Sequence, residues 1–251
     1  MLIDTHTHLF KEYYDNKEEV LKRAKEEGIG IIINNGCDGK SNVEVLEMVG
    51  KNVFGAIGIH PEAVLEYTQE DLDFIEENLK NPYIVAIGEI GLDYHYSKDN
   101  KEEQKQLFEY QLKLAERYNM PVIIHSRGAT EDTIDILKKY QVRGSIHSFS
   151  GSFETAQIYL KMGFKLGING VVTFKNSKLK EVIARLPKEA LLLETDAPYL
   201  APVPYRGKQN ESKNIAIIAE YIANIYGIEK NLLAEVTSQN ALSLFDKIKV
   251  E

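Results

Sequence analysis

Eight short apolar runs at regular intervals constrain the fold of this chain more than any other feature of its sequence. The runs are rich in β-branched residues and bounded by Gly, Pro or Asn, which is typical of strands. They read LIDTHTHL, IGIIINNG, VFGAIGIH, YIVAIGEI, PVIIHS, RGSIHSF, FKLGING and ALLLETDA. The segments between them are charged and amphipathic, most clearly 101–118, where apolar residues recur at helical spacing. Because parallel strands need a crossover, eight alternating strand–helix units predict an α/β fold, a (β/α)8 barrel of the TIM type.

Glycines and a serine mark where several of these helices begin and end. Gly28 ends the helix before the second strand, and Ser152 caps a helix that Gly163 ends. The tail from Ser212 onward is helical by pattern. Since no linker or low-complexity tract divides the chain, we predict a single domain over residues 1–251.

Composition and charge narrow the functional classes. The net charge of −8 argues against a broad, non-specific nucleic-acid surface, although a local pocket with bound cations stays compatible with it. No stretch is apolar enough for a membrane helix, and the first residues are typical of a strand rather than of a signal peptide. The single cysteine, Cys37, excludes an internal disulfide and fits a reducing compartment. We therefore expect a cytoplasmic protein with no membrane partner and no obligate protein partner.

Polar side chains stand at the ends of the predicted strands. His6 and His8 are two residues apart in the first run, so they share one face of a strand, although such a pair alone also suits an ordinary surface. The other polar strand-end residues are His60, Glu89, His125, His147 and Asp196. The carboxyl ends of the strands form the active-site face of such a barrel. Any one of these histidines is readily explained as a core residue, but six of these side chains converging on one rim predict a metal centre. The six are His6, His8, Glu89, His125, His147 and Asp196.

The number of candidate ligands predicts two ions. A catalytic zinc takes three protein ligands and leaves one position open. Six ligands suit two divalent ions about 3.5–4 Å apart that share a carboxylate and a water. Imidazole favours zinc, manganese or iron and carboxylate also admits magnesium, so the identity of the metal stays open.

Seven motifs, taken together and in order, resemble those of a known family. They are IDTHTHL, AIGIHP, AIGEIGLDY, PVIIHSR, HSFSG, LETDAPYLAP and RGKQNE, and they span 4–211. The set is similar to the TatD family of metal-dependent deoxyribonucleases, which belongs to the amidohydrolase-like barrels. The resemblance implies a distorted barrel that hydrolyses phosphodiester bonds of DNA, exonucleolytically on single strands, through a water activated by two metal ions; RNA stays open as a further substrate.

The same resemblance assigns a role to each candidate ligand. It implies that His6 and His8 bind the first ion and that Glu89 lies between the two. It implies that His125 and His147 bind the second ion. Asp196 would bind metal and accept the proton of the attacking water, as an anion beside the nucleophile can.

Donors for a phosphate are predicted around this site. Arg127 shares the strand face of His125 and could make two parallel hydrogen bonds to a phosphate. The loop PYRGKQNE supplies Arg206, Lys208 and Asn210, either as phosphate contacts or as parts of a rigid surface loop. His60 could donate to the substrate phosphate or simply cap its strand.

Two further carboxylates are predicted to lie inside the barrel. Asp4, one pleat behind His6, either accepts the N–H of a ligating imidazole or bonds to the backbone. Glu194, one pleat below Asp196, is expected to pair with Lys165, since a buried charge needs a partner.

Two other functions fit the same sequence. One is an amidohydrolase-type hydrolase of small esters, amides or phosphoesters. Glu89 argues against this alternative, because such enzymes use a metal-bridging modified lysine at that position. The other is a metal-bound scaffold protein without catalysis, which would have no reason to keep six ligands.

Overall fold

The computed structural model describes residues 1–95 and 99–249, and in them it confirms the predicted alternation of strands and helices. The strands form one eight-stranded sheet in chain order from β1 to β8. Every pair with a described register is parallel, and the register shifts within three of these pairs. The fold class is therefore the predicted (β/α)8 barrel. The strands are β1 (Leu2–Thr7), β2 (Ile29–Asn35), β3 (Val53–Ile57), β4 (Ile84–Asp93), β5 (Val122–Arg127), β6 (Gly144–Ile146), β7 (Lys165–Ile168) and β8 (Leu191–Leu193).

The helices follow the signals seen in the sequence. The helix predicted over 101–118 has those limits, and Asn119 ends it in the left-handed conformation. Ser152 caps α6 by accepting a hydrogen bond from the N–H of Thr155. The helices of the described chain are α1 (Lys17–Glu26), α2 (Gly39–Met48), α3 (Gln69–Asn78), α4 (Lys101–Tyr118), α5 (Thr130–Leu137), α6 (Phe153–Lys161), α7 (Leu179–Ile183), α8 (Ile215–Tyr226) and α9 (Lys230–Leu244). Within residues 1–95 and 99–249, no helix has the length and apolar character that a membrane crossing requires.

Contacts group the chain into two compact units, and the first consists of Met1–Asn34 and Ser148–Ser243. In this unit β1 pairs with β2, and β7 pairs with β8. The chain beyond β8 returns to β1, because Thr7 bridges Ala197 in parallel and the N–H of His8 donates to the carbonyl of Ala197. Helix α8 covers these strands with Ile218 and Ile222, both fully buried.

The second unit consists of Asn35–His147 and Leu244–Glu251, of which 250–251 lie outside the described residues. Strand pairs β3–β4, β4–β5 and β5–β6 form its sheet. Lys247, near the C-terminus, donates from Nζ to the carbonyls of Leu79 at 2.7 Å and of Ile84 at 2.9 Å. The C-terminal segment is thus fastened to the turn that leads into β4. The prediction of one domain over residues 1–251 stays a prediction.

The ends of several strands differ from those expected. Strand β4 does not end at Glu89 but continues to Asp93, and β8 ends at Leu193, three residues before Asp196. His147 directly follows β6, and His60 begins a short 3-10 helix after β3. The alternation of side chains along a strand therefore describes His125, whereas Glu89 lies where the β4–β5 register shifts and backbone turns orient His60 and Asp196.

Candidate metal centre

In the first unit, His6, His8 and Asp196 form a buried cluster of possible metal ligands. The Nε2 atoms of His6 and His8 lie 3.2 Å apart. The Asp196 Oδ1 lies 3.8 Å from the His6 Nε2 and 3.5 Å from the His8 Nε2. None of the three residues is more than 9% exposed. Zinc–nitrogen bonds of about 2.0–2.1 Å in tetrahedral geometry place two nitrogens about 3.3 Å apart, so this pair fits one ion.

The backbone beyond β8 positions Asp196 against β1. The N–H of Asp196 donates to the carbonyl of His6 at 2.9 Å. Asp196 has a φ of 56°, in the left-handed region that a non-glycine residue seldom adopts. Strained backbone of this kind concentrates at functional sites, where the surrounding structure holds it in place. The observation supports a functional role for the Asp196 carboxylate.

Asp4 contacts Thr195 and not an imidazole. Its carboxylate accepts from the Thr195 hydroxyl at 2.6 Å and from the Thr195 N–H at 2.9 Å. The N–H of His6 lies 3.4 Å from Asp4 Oδ1. Burial raises the pKa of Asp4 to about 7, although these hydrogen bonds act against the rise. Of the two expectations for Asp4, the structure thus shows bonding to the backbone, and it adds the Thr195 hydroxyl, one residue before Asp196.

Asn210 is a buried support of the loop after β8 rather than an exposed donor for a phosphate. Its side-chain amide donates to the carbonyls of Thr195 at 2.9 Å and Tyr199 at 2.7 Å. Its side-chain oxygen accepts from the amide of Asn214 at 2.8 Å. The residue is fully buried, so it holds the segment around Asp196 and does not face a ligand in solvent.

Glu194 has a different partner from the predicted lysine. Its carboxylate accepts from the N–H of Ser148 at 2.7 Å. Lys165 instead donates to the carbonyl of Glu189 at 2.6 Å. The expected ion pair is therefore wrong, because Lys165 stands at the beginning of β7, whereas Glu194 lies beyond the end of β8.

In the second unit, Glu89 is surrounded by three histidines. His125 Nδ1 lies 2.7 Å from Glu89 Oε1. The Nε2 atoms of His60 and His147 lie 3.7 and 3.8 Å from that same oxygen. Ligand atoms of His60, Glu89 and His125 all fall within 4.8 Å of one another, a spacing at which they could hold a metal ion. Imidazole and carboxylate together suit zinc, manganese or iron.

Asp93 belongs to this second cluster, and sequence reasoning missed it. Its Oδ2 lies 2.9 Å from His125 Nε2. Gln104 fixes the backbone of Asp93 by accepting from its N–H and donating to its carbonyl, each at 2.9 Å. The signal was present in the motif GEIGLDY, because Glu89 and Asp93 are four residues apart and share one face of a strand. It was overlooked because the strand was expected to end at Glu89.

The carboxylates of Asp93 and Glu89 favour the protonated form of His125. Burial lowers its pKa, but hydrogen bonds to Asp93 and Glu89 outweigh burial and raise the pKa to about 9. A carboxylate that holds one ring N–H leaves the other ring nitrogen available to a metal and fixes the orientation of the ring. Asp93 is in the position to do this for His125, with Nδ1 facing Glu89.

His60 has one ring nitrogen occupied by the backbone. Its Nδ1 accepts from the N–H of Glu62 at 3.2 Å, which caps the short helix that follows β3. A neutral ring with Nδ1 as acceptor carries its proton on Nε2, the atom that faces Glu89. His60 therefore caps the backbone that follows β3, which agrees with the expectation of a capping role. It also presents an N–H donor to the second cluster.

The predicted cationic phosphate donors are not among the candidate ligands of either cluster. Arg127 is the last residue of β5 and is exposed. Arg206 lies over the ring of Phe174, with its guanidinium carbon 4.5 Å from the ring centroid. The Lys208 Nζ lies 5.9 Å from the ring centroid of Tyr205. All three cations are exposed, and their contact with substrate stays a prediction.

A (β/α)8 barrel with histidine–carboxylate clusters at its strand ends defines a class of protein, the metal-dependent hydrolases. Comparison with protein families narrows that class, since the family described as TatD related DNase matches residues 3–246. The chain belongs to the TatD family of metal-dependent hydrolases.

Individual relatives agree over nearly the whole chain. The chain is 44% identical to the uncharacterized metal-dependent hydrolase YabD of Bacillus subtilis, over 98% of this chain and 99% of YabD. It is 33% identical to the uncharacterized metal-dependent hydrolase YcfH of Escherichia coli, over 97% of this chain and 95% of YcfH. The crystal structure of YjjV, a TatD homolog from Escherichia coli, matches with a TM-score of 0.91 and 32% identity, covering 98% of both chains.

Proposed function

We propose that this protein is a nuclease that hydrolyses phosphodiester bonds of DNA, acting exonucleolytically on single strands with two divalent ions. The first ion would be held by His6, His8 and Asp196. The second would be held by Glu89, His125 and His147, and the metal would be magnesium, manganese or zinc. The observation that carries the proposal is the pair of buried histidine–carboxylate clusters, and the family description, TatD related DNase, supports DNA as the substrate.

The chemistry expected of these residues follows from their charges. Divalent ions at the clusters would neutralise phosphate oxygens and lower the pKa of water towards neutrality. Asp196 accepts the proton of the attacking water, as an anion held by the backbone beside two histidines. His60 presents its Nε2–H to a phosphate oxygen, since its Nδ1 is occupied by Glu62.

Cations outside the clusters would bind the remaining phosphates of the strand. Arg127, Arg206 and Lys208 are exposed, and their long side chains can reach a flexible polyanion. We also propose a single domain and a cytoplasmic location, without membrane or obligate protein partners. The lone Cys37 supports this location, because a chain without disulfides suits a reducing compartment.

An assay with end-labelled nucleic acids tests the proposal. Single- and double-stranded DNA and RNA are incubated with the purified protein and magnesium, manganese or zinc, with excess chelator as the control. We expect the labelled end of single-stranded DNA to be lost stepwise, and chelator to stop the reaction. Hydrolysis of small esters, amides or lactones without cleavage of any nucleic acid would instead support the amidohydrolase alternative.

Elemental analysis tests the number of ions. Reconstituted protein is expected to contain two ions per chain at saturation, because each cluster offers its own histidines and a carboxylate. A single ion per chain at saturation would contradict the two-metal proposal while leaving hydrolysis itself possible.

A further inference from the structure

A cavity of about 820 Å³ lies in the first unit, in a range usual for ligand-binding sites. Its walls come from the segments that follow β6, β7 and β8. They include Ser152 and Phe153 at the start of α6, Phe174 and Lys178 after β7, and Arg206 from the loop after β8. Arg185, just beyond α7, also lines the cavity. None of these residues belongs to the two candidate metal clusters.

Two arginines on the cavity wall lie over aromatic rings. The guanidinium carbon of Arg185 lies 3.7 Å from the ring centroid of Phe153, and that of Arg206 lies 4.5 Å from that of Phe174. Significant pairs of this kind occur about once in 70–80 residues, so two at one cavity are a local concentration. Both arginines are exposed, while both rings are half-buried beneath them. Each guanidinium therefore lies against an aromatic ring at a position that solvent also reaches.

Hydrogen bonds attach this cavity to the segment that carries Asp196. The N–H of Val203, in the loop after β8, donates to the hydroxyl of Thr173 at 2.9 Å. In the same region Gly170 lies against the carbonyl of Leu200, where any side chain would collide with backbone. The segments after β7 and β8 therefore hold each other in place. The loop that begins near Asp196 thus also forms part of the cavity wall.

The cavity lining has more positive than negative side chains, whereas the chain as a whole is negatively charged. Its lining carries three cations, Lys178, Arg185 and Arg206, against the two carboxylates Glu154 and Glu181. The chain as a whole has a net charge of −8. A polyanion would therefore meet local attraction at the cavity while the rest of the surface repels it.

We propose that this cavity binds nucleotides of a single DNA strand that lie away from the cleaved bond, with unpaired bases stacked on Arg185 and Arg206. Unpaired bases stack on aromatic rings and on guanidinium planes, whereas bases in a duplex are already stacked and paired. Lys178, which also lines the cavity, would supply positive charge for a phosphate of the same strand. This inference rests on the proposed function, because it takes DNA as the substrate, and it deepens that proposal by locating where the uncleaved part of the strand lies.

Binding of fluorescent oligothymidines of two to ten nucleotides to the full chain tests the inference. Chelator prevents cleavage, and cavity binding persists in it because no lining residue is a candidate metal ligand. We expect affinity to rise with length until the strand fills the cavity. Arg185→Ala is expected to weaken binding of the decamer by about 5- to 150-fold, the range for loss of one stacked base.

Three further variants separate stacking from charge and folding. Arg117→Ala is the matched control, because it removes the same charge from the second unit at a side chain that is 64% exposed. This variant should bind the decamer as the wild type does. Arg185→Lys keeps the charge but lacks the plane, so most of the loss should remain. Arg206→Ala is expected to raise KM with little change in kcat. Unchanged thermal melting of each variant shows that the fold is intact.

The outcomes distinguish this inference from the proposed function. If wild type cleaves DNA but Arg185→Ala and Arg117→Ala bind the decamer equally well, the cavity inference is overturned and the nuclease stands. If DNA is not cleaved under any metal but Arg185→Ala still loses decamer binding, the nuclease proposal fails and the strand-binding cavity stands. Absence of decamer binding by the wild type overturns the inference as well.

Discussion

His125 is held between two carboxylates that serve different purposes. Glu89 faces its Nδ1 and Asp93 faces its Nε2. Under the proposed function, Nδ1 of His125 would be the nitrogen that serves a metal ion, and Asp93 would hold the proton on Nε2. We therefore propose Asp93 as a positioning residue for His125 and not as a metal ligand.

Asp93→Asn should weaken metal binding without abolishing it. Loss of such a partner typically costs about 10- to 100-fold in metal affinity, and activity should return as metal is added. Calorimetric titration with manganese measures the affinity. Asp135→Asn is a matched control, because Asp135 is exposed and pairs only with Lys138 among the contacts described. Equal affinities of Asp93→Asn and wild type would contradict the assigned role.

Glu89→Gln should lower metal occupancy, and added metal should restore part of the activity. The resemblance to the TatD family leads us to expect that Glu89 touches both ions. The amide keeps the size of the side chain and one acceptor oxygen, but it removes the negative charge that holds cations close together. Activity and bound metal are recorded together across a manganese titration.

Asp196→Asn should fail differently, because Asp196 is proposed to accept a proton as well as to bind an ion. General-base contributions are typically about 10²- to 10⁴-fold in rate. The variant should retain metal at the Glu89–His125 cluster, yet lose activity that extra manganese does not restore. If metal rescues it as fully as Glu89→Gln, Asp196 is only a ligand and the base lies elsewhere.

The residues that sequence reasoning missed or misplaced share a physical cause. The spacing of histidines and carboxylates indicated the candidate ligands because each lies in or just after an apolar run. The partners of Asp4 and Glu194 could not be read in the same way. Thr195 and Ser148 reach them through turns of the backbone, and such hydrogen bonds leave no periodic pattern in the sequence.

At the scale of elements, the long helix α4 was the most predictable part of the chain. Its apolar face repeats over 18 residues, and Gln104 and Gln111 are buried on that face because they bind backbone groups. Strand ends were less predictable, since nothing in an alternating pattern shows where pairing stops. The loop after β8 is held by the buried side chain of Asn210, whose hydrogen bonds to Thr195 and Tyr199 leave no pattern in the sequence.

Asn210→Ala should destabilise the loop after β8 and, with it, the position of Asp196. The buried carbonyl of Thr195 would lose its donor, at a cost of about 1–3 kcal/mol, and the part-buried carbonyl of Tyr199 would lose its donor as well. Urea unfolding measures the change in the free energy of unfolding, and kcat should fall in parallel. Asn224→Ala, at an exposed position of α8, is the control and should leave both quantities near the wild-type values. A stable Asn210→Ala protein with full activity would show that the loop is held by other contacts.

For the whole molecule, acid should weaken the fold through carboxylates whose pKa is held low. The Tyr94 hydroxyl and Lys105 lower the pKa of Asp132 below 3.8, and Lys139 lowers that of Glu109 below 4.5. Their stabilisation is present above these ordinary values and is lost as the pH falls through the lower folded-state values. We expect the free energy of unfolding in urea to fall as the pH drops below about 4.5.

The raised pKa of Asp4 changes stability with pH in the opposite direction. A variant at Asp132 is therefore needed to isolate the effect of the lowered carboxylates. Burial raises the pKa of Asp4 to about 7, and its contribution is therefore largest below pH 3.8 and is lost as the pH rises through 7. Asp132→Asn removes one of the lowered carboxylates and should flatten the acid limb of the stability curve. An acid limb as steep as that of the wild type would assign the loss to other groups.

Neither compact unit is built from one continuous stretch of chain. Strand β1 is synthesised well before residues Thr195–Ala197, which bond to Asp4 and Thr7. The second unit gains Lys247 only after Ser148–Ser243 of the first unit have been made. Neither unit can therefore close until its later segment has been synthesised. Dividing the gene after His147 would yield two fragments, each lacking part of both units.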